Sequence, residues 1–107
     1  MGTAYVVQQV NGRNYNPARA THPHIQSIFH PASQLWGMEP TNDYVCQANT
    51  VLDEFDPLQD AVIPTGDPLL IGLVFAWLYV HVGAFTCLKW DRQTGTYVEI
   101  HMEMDLE

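Results

Sequence analysis

The fold is decided by the stretch Asp67–Lys89, DPLLIGLVFAWLYVHVGAFTCLK, whose 21 residues between the two ends carry no formal charge. By length alone this run qualifies as a membrane span, because about 20 apolar residues cross a bilayer as a helix. Its interior contains a helix start and a helix stop. Asp67-Pro68 is typical of an N-cap and first helical position, and Gly83 is typical of a C-terminal stop. We therefore predict a buried helix over 68–82 and no transmembrane span.

The residues on either side of this helix predict strands. After Gly83, residues 84–90 are β-branched and aromatic, as in a strand. Before the helix, residues 60–64 form a short apolar strand followed by the turn Thr65-Gly66. A strand, a helix and a strand connected so closely join parallel neighbours, with a right-handed connection. Residues 90–97 then predict a hairpin turn, followed by a last antiparallel strand over 96–102.

The first half of the chain adds two strands and one helix. Strands are predicted at 5–10 and 24–30, and apolar residues at helical spacing predict a surface helix that begins with Thr41 as N-cap and ends before Pro57. The polar segment 13–24 is predicted to be a mobile loop, and the acidic tail 103–107 is predicted to fray. The fold class is α/β: a single small domain over 1–107 with a mixed, mostly parallel sheet of four to five strands, two main helices and a C-terminal β-hairpin.

The composition limits the classes of partner that we expect the protein to bind. The chain has a formal net charge of −8, with twelve acidic and four basic residues. The four bases are scattered in the sequence, so no basic stripe is available to neutralise phosphates, and we expect no direct binding of nucleic acid. They are Arg13, Arg19, Lys89 and Arg92. Cys46 and Cys87 predict reduced thiols, and no export or lipid address is visible, which together predict a cytosolic protein without a membrane anchor.

No catalytic residue, cofactor or metal site is predicted. The five histidines do not complete a set of four ligands with any cysteine or carboxylate. A candidate ligand-binding site is Thr65, Gly66 and Asp67, which follow a strand and begin a helix, where open α/β sheets often hold anions. Glycine-rich loops and the P-loop lysine are absent from this segment. N-capping alone explains Asp67 more simply.

The helix over 68–82 is apolar nearly all round, so a single sheet face cannot bury it. It must be sandwiched between layers or covered by a second copy of the chain. Leu73, Trp77 and Val80 are therefore candidate interaction residues. Asp53 and Glu54 are further candidates for a basic partner, although a solvated helix face explains these acids more simply.

Several segments resemble a group of small phage-encoded proteins. The resemblance covers the start and the last half of the chain and implies a viral origin and no reaction. It is carried by residues 5–8, by Asp60-Ala61-Val62-Ile63-Pro64-Thr65-Gly66-Asp67-Pro68, by the apolar helix, and by residues 88–92 with Tyr97-Val98.

Three functions are consistent with these observations. The leading hypothesis is a small acidic, non-enzymatic phage protein that binds a host or phage protein in the host cytosol and self-associates, most simply as a symmetric dimer through the helix 68–82. The first alternative is a small-ligand or nucleotide-binding α/β module, acting as a sponge or a hydrolase. The second alternative is an acidic decoy for a nucleic-acid-binding protein.

Overall fold

The computed structural model describes residues 2–33 and 42–104, and this part of the chain forms one five-stranded sheet with helices on both faces. The elements, in chain order, are β1 (Thr3–Gln8), a 3₁₀ helix (Asn16–Ala20), β2 (His24–Phe29), α1 (Asn42–Leu52), β3 (Ala61–Ile63), α2 (Pro68–His81), β4 (Ala84–Asp91) and β5 (Thr96–Glu103).

The sheet is mixed and mostly parallel, with strand order β2-β1-β3-β4-β5. β1 pairs in parallel with both β2 and β3, and β3 pairs in parallel with β4. Only β5 runs antiparallel, as the second strand of a hairpin with β4. The α/β fold class, the two helices and the C-terminal hairpin predicted from the sequence are all confirmed.

Two apolar clusters lie on opposite faces of the sheet. On one face, Val7 and Phe85 pack beneath α1 and α2, which contribute Leu52 and Val74. On the other face, Val6 and its strand neighbours pack against the 3₁₀ helix. Adjacent strand residues such as Val6 and Val7 join different clusters because successive side chains in a strand point to opposite faces.

Gly83 follows the end of α2 and divides the long apolar run into a helix and a strand, as predicted. Val82 caps α2, and its backbone N–H donates to the Leu78 carbonyl oxygen at 2.8 Å. Gly83 has φ of 91°, a left-handed conformation that favours glycine, and β4 begins at the next residue. Within residues 2–33 and 42–104, no helix is both long and apolar enough to cross a membrane.

α2 packs one side on the sheet and leaves the other side open. Leu70, Val74 and Leu78 are buried, whereas Leu69 is 59% exposed and Val80 is 78% exposed. The sequence indicated that this helix needs cover on more than one side. The structure provides the sheet on one side and α1 beside it, and the described residues place no second layer on the outer side of the helix.

The segment 13–24, predicted as a loop, contains the 3₁₀ helix and contributes to the second layer. Tyr15, Ala18 and His22 are buried, and the Arg19 guanidinium donates to the Pro23 carbonyl oxygen at 2.8 Å. Short 3₁₀ turns lack the apolar periodicity that identifies α-helices, so the sequence pattern did not indicate this element. The mobility of this segment stays a prediction. The predicted N-cap Thr41 and tail residues 105–107 lie outside the described residues.

Candidate functional site

Gln8 joins three chain segments at the carboxyl edge of the sheet. Its side chain is only 3% exposed at the end of β1. Its Nε2 group donates to the carbonyl oxygens of His30 at 2.8 Å and Pro31 at 3.2 Å, and also to that of Ser33. Its Oε1 accepts from the backbone N–H of Asp67 at 2.8 Å. One buried amide therefore connects the ends of β1, β2 and the β3–α2 turn.

The Thr65 hydroxyl belongs to the same network. Its Oγ1 donates to the Gln8 carbonyl oxygen at 2.9 Å and lies 2.9 Å from the Tyr15 hydroxyl. The single Thr65 hydroxyl proton goes to Gln8, so Tyr15 is the donor to Thr65. Tyr15 in turn accepts from the Val10 backbone N–H at 2.9 Å. The Thr65 side chain is thus engaged within the chain.

Gly66 and Asp67 also have structural roles at this edge. Gly66 has φ of 111°, and a Cβ atom there would stand 2.5 Å from the Gln8 Cβ atom. Asp67 Oδ1 accepts from the Leu69 backbone N–H at 3.0 Å, which confirms the predicted N-cap. The candidate ligand-binding residues Thr65, Gly66 and Asp67 therefore all have structural roles within the chain, and their binding of a ligand stays a prediction.

An open cleft of about 430 Å³ lies beside these residues. Thr65 and Gly66 contribute to its wall, and three basic side chains also line it, so we call it the basic cleft. These side chains are Arg13, Lys89 and Arg92. They are three of the four bases of the whole chain. The sequence did not indicate this cluster, because the carboxyl ends of β1 and β4 become neighbours only in the folded sheet.

Among the described residues, no carboxylate forms an ion pair with the bases of the basic cleft. Across residues 2–33 and 42–104, the single ion pair joins His101 to Glu103, with the atoms 3.3 Å apart. Asp91 is adjacent to Arg92 in sequence, but its carboxylate accepts from the Gln93 backbone N–H and the Thr94 hydroxyl, both at 3.0 Å. The three bases of the cleft are thus available to an anion.

Two aromatic residues complete the cleft. Trp90 and Tyr97 line it and pack edge to face, with ring centroids 5.0 Å apart. The Tyr97 hydroxyl oxygen is buried beside the Arg13 guanidinium. Burial raises the pKa of Tyr97 above its ordinary value, and the nearby Arg13 guanidinium opposes that rise.

Comparison with known families identifies the origin of the chain. The Phage Pam3 gp32-like protein family matches residues 2–104. The chain belongs to this family. The match confirms the resemblance to small phage-encoded proteins and extends through residues 13–37, which that resemblance did not cover. No significant match to the chain is found among curated proteins or among solved structures.

The predicted interaction residues lie on α2 and just after α1, and their role stays a prediction. Leu73 and Trp77 are half-buried against the core, and the Trp77 Nε1 group donates to the Asn49 side chain on α1. Val80 is 78% exposed, and its spacing of three residues from Trp77 and seven from Leu73 places it on the same side of α2 as both. Asp53 and Glu54 are exposed just after α1.

Metal-ligating and thiol side chains do not cluster in the part of the chain that the structure describes. No cluster of three or more histidine, cysteine or acidic side chains that could hold a metal ion occurs in residues 2–33 or 42–104. Cys46 is exposed and Cys87 is buried, and neither is in a disulfide. Burial raises the pKa of the Cys87 thiol to about 11, so the thiol is neutral at physiological pH.

Proposed function

We propose that this phage protein acts through protein–protein contact in the host cytosol and that its partner is a second copy of itself, bound through the outer side of α2. The observation that carries the proposal is an exposed apolar stripe along that helix. The stripe consists of Leu69, Gly72, Ala76 and Val80, spaced by three, four and four residues. This spacing places the four residues on one side of the helix, where a surface helix normally carries polar side chains.

Gly72 is the most informative member of the stripe. A glycine in the interior of a helix costs roughly 0.5–1 kcal/mol relative to alanine. Within the chain nothing requires its small size, because a Cβ atom at Gly72 would meet no atom of another element within 4 Å. Close approach of a helix from outside the chain does require a small residue at this position. A partner helix therefore accounts for a glycine that the isolated chain does not need.

Charge favours a second copy on this side. Two molecules of net charge −8 repel each other, so they associate most readily where neither presents acidic side chains. Residues 68–88 carry no charge. By contrast, the exposed acids Asp43, Asp53 and Glu54 lie on or just after α1. The outer side of α2 is thus a surface on which two copies meet without juxtaposed carboxylates.

The stripe is also complementary to itself under two-fold symmetry. If two α2 helices cross antiparallel between Gly72 and Ala76, Leu69 of one copy lies near Val80 of the other. Each large side chain then enters the shallow groove left by the small residues, as ridges pack into grooves in other helix pairs. The antiparallel arrangement also places the helix dipoles in opposite directions.

Sedimentation of the wild-type chain and three variants tests the proposal. We expect a concentration-dependent dimer for the wild type, and monomers for Val80→Glu and Gly72→Leu. Gly72→Leu is the more informative variant. The space around Gly72 is open and leucine has a higher helix propensity than glycine, so the monomer should stay folded. Leu58→Glu is the matched control, since Leu58 is 93% exposed outside α2. A wild type that stays monomeric at about 100 µM, or equal dissociation in the control, would contradict self-association.

A further inference from the structure

We propose that the basic cleft binds a nucleoside phosphate, with the phosphate group at Arg13, Lys89 and Arg92 and the nucleobase against Trp90. This binding site does not depend on the dimer, because the cationic and aromatic side chains of the cleft come from the loop after β1 and from the β4–β5 hairpin rather than from α2.

The strand order explains why the basic cleft forms at this edge of the sheet. The chain leaves β1 for β2 on one side and later returns to β3 on the other side of β1. The loops that follow β1 and β3 therefore diverge, and open α/β sheets bind their ligands outside the carboxyl ends of strands at such a point. The cleft is bounded here by Val10 after β1, by Thr65 after β3 and by Lys89 near the end of β4.

The charges in the cleft require an anion. Three cations repel one another, and no carboxylate forms an ion pair with them in residues 2–33 or 42–104, although the chain contains twelve acids. A phosphate group supplies the missing negative charge and accepts the paired N–H donors of a guanidinium in a fixed geometry. The carboxylate of Asp67, at the edge of this region, accepts from the Leu69 backbone N–H, which begins α2.

The aromatic residues indicate that the ligand contains more than a phosphate group. An indole ring at the wall of a charged groove provides a surface on which a nucleobase stacks. The buried Tyr97 hydroxyl lies beside the Arg13 guanidinium and belongs to the wall that holds this base. A volume of about 430 Å³ lies within the range of small-molecule sites. Together these features fit a nucleotide better than inorganic phosphate.

Calorimetric titration of the untagged wild-type chain with four probes separates the parts of the ligand. The probes are ADP, AMP, adenosine and inorganic phosphate. We expect ADP to bind most tightly, and adenosine and phosphate to bind at least about tenfold more weakly, because each lacks one of the two groups that the cleft recognises. Affinity for ADP should also fall as salt is raised.

Matched substitutions locate the binding to the cleft. Arg92→Gln and Lys89→Gln should each lower ADP affinity by about tenfold, because each removes a charge-assisted hydrogen bond. Arg19→Gln is the control, since it makes the same change of charge at the one base that does not line the cleft. Tyr97→Phe should lower ADP affinity less than Arg92→Gln, because the Tyr97 hydroxyl is buried beside the Arg13 guanidinium and affects the ligand only through that side chain.

Three results would overturn the proposal. The first is the absence of any binding heat or melting shift with ADP at about 1 mM, well above the range of specific small-molecule sites. The second is an equal loss of affinity in Arg19→Gln, which would indicate a general electrostatic effect. The third is binding of inorganic phosphate as tightly as ADP, which would show that the cleft does not recognise the nucleoside.

Discussion

The side-chain oxygen of Gln8 accepts a hydrogen bond from the Asp67 backbone N–H at 2.8 Å, and this contact fixes the start of α2 to the end of β1. The two residues are far apart in the sequence but meet where β1 and β3 pair in parallel. The other end of the Gln8 amide donates to carbonyl groups after β2. The geometry of the carboxyl edge, and of the cleft beside it, therefore depends on one uncharged side chain.

Replacing Gln8 by alanine should lower the free energy of unfolding by about 2–4 kcal/mol. The change leaves the Asp67 N–H and the carbonyl groups after β2 without their buried partner, and each unsatisfied group costs about 1–3 kcal/mol. Urea denaturation measures the effect. Gln26→Ala is the control, because Gln26 is exposed on β2. Similar destabilisation in both variants would mean that the Gln8 network is not important for stability.

Gly66→Ala should destabilise the protein more than Gly83→Ala. Both glycines have positive φ, so alanine at either position carries the same kind of backbone strain, about 1–2 kcal/mol. Only at Gly66 does the new Cβ atom also collide with Gln8, at 2.5 Å, whereas the space around Gly83 is open. Thermal unfolding of the two variants isolates the cost of the collision. Equal melting temperatures would show that the β3–α2 turn relaxes without cost.

The elements that the sequence predicted correctly depend on local signals. The Asp67 N-cap and the Gly83 stop are set by residues within a single turn, and the alternation of the final hairpin is equally local. The 3₁₀ helix after Tyr15 was missed because it is too short to establish a period.

The features of the candidate site that the sequence did not indicate depend on strand order. Arg13 and Lys89 line the same cleft only because β1 and β4 both lie beside β3 in a parallel arrangement. No pattern within one chain segment specifies that arrangement. The role of Gln8 was missed for the same reason, since a glutamine at a strand end is ordinarily a solvated residue. By contrast, the strand-to-helix turn that contains Thr65 and Gly66 is local, so the sequence could indicate the turn, and ligand binding by Thr65, Gly66 and Asp67 stays a prediction.

The stability of the protein should fall as the pH rises above 9, with Cys87 as one cause. Burial raises the pKa of this thiol from 9.0 to about 11 in the folded chain. Between these values the unfolded chain releases the thiol proton and the folded chain retains it, so rising pH favours unfolding. The free energy of unfolding should decrease by roughly 2–3 kcal/mol between pH 9 and pH 11, and this loss should be absent below pH 9.

Urea denaturation from pH 8 to pH 11 measures this dependence, with Cys87→Ala as the comparison. The variant should be less stable at pH 8, because it leaves a cavity, but its stability should decline less steeply with pH. Tyr5 and Tyr97, whose pKa values burial also raises, contribute to both curves and cancel in the difference. Replacing the exposed Cys46 by alanine should leave the slope unchanged. Parallel curves for the wild type and Cys87→Ala would show that the Cys87 thiol ionises without unfolding.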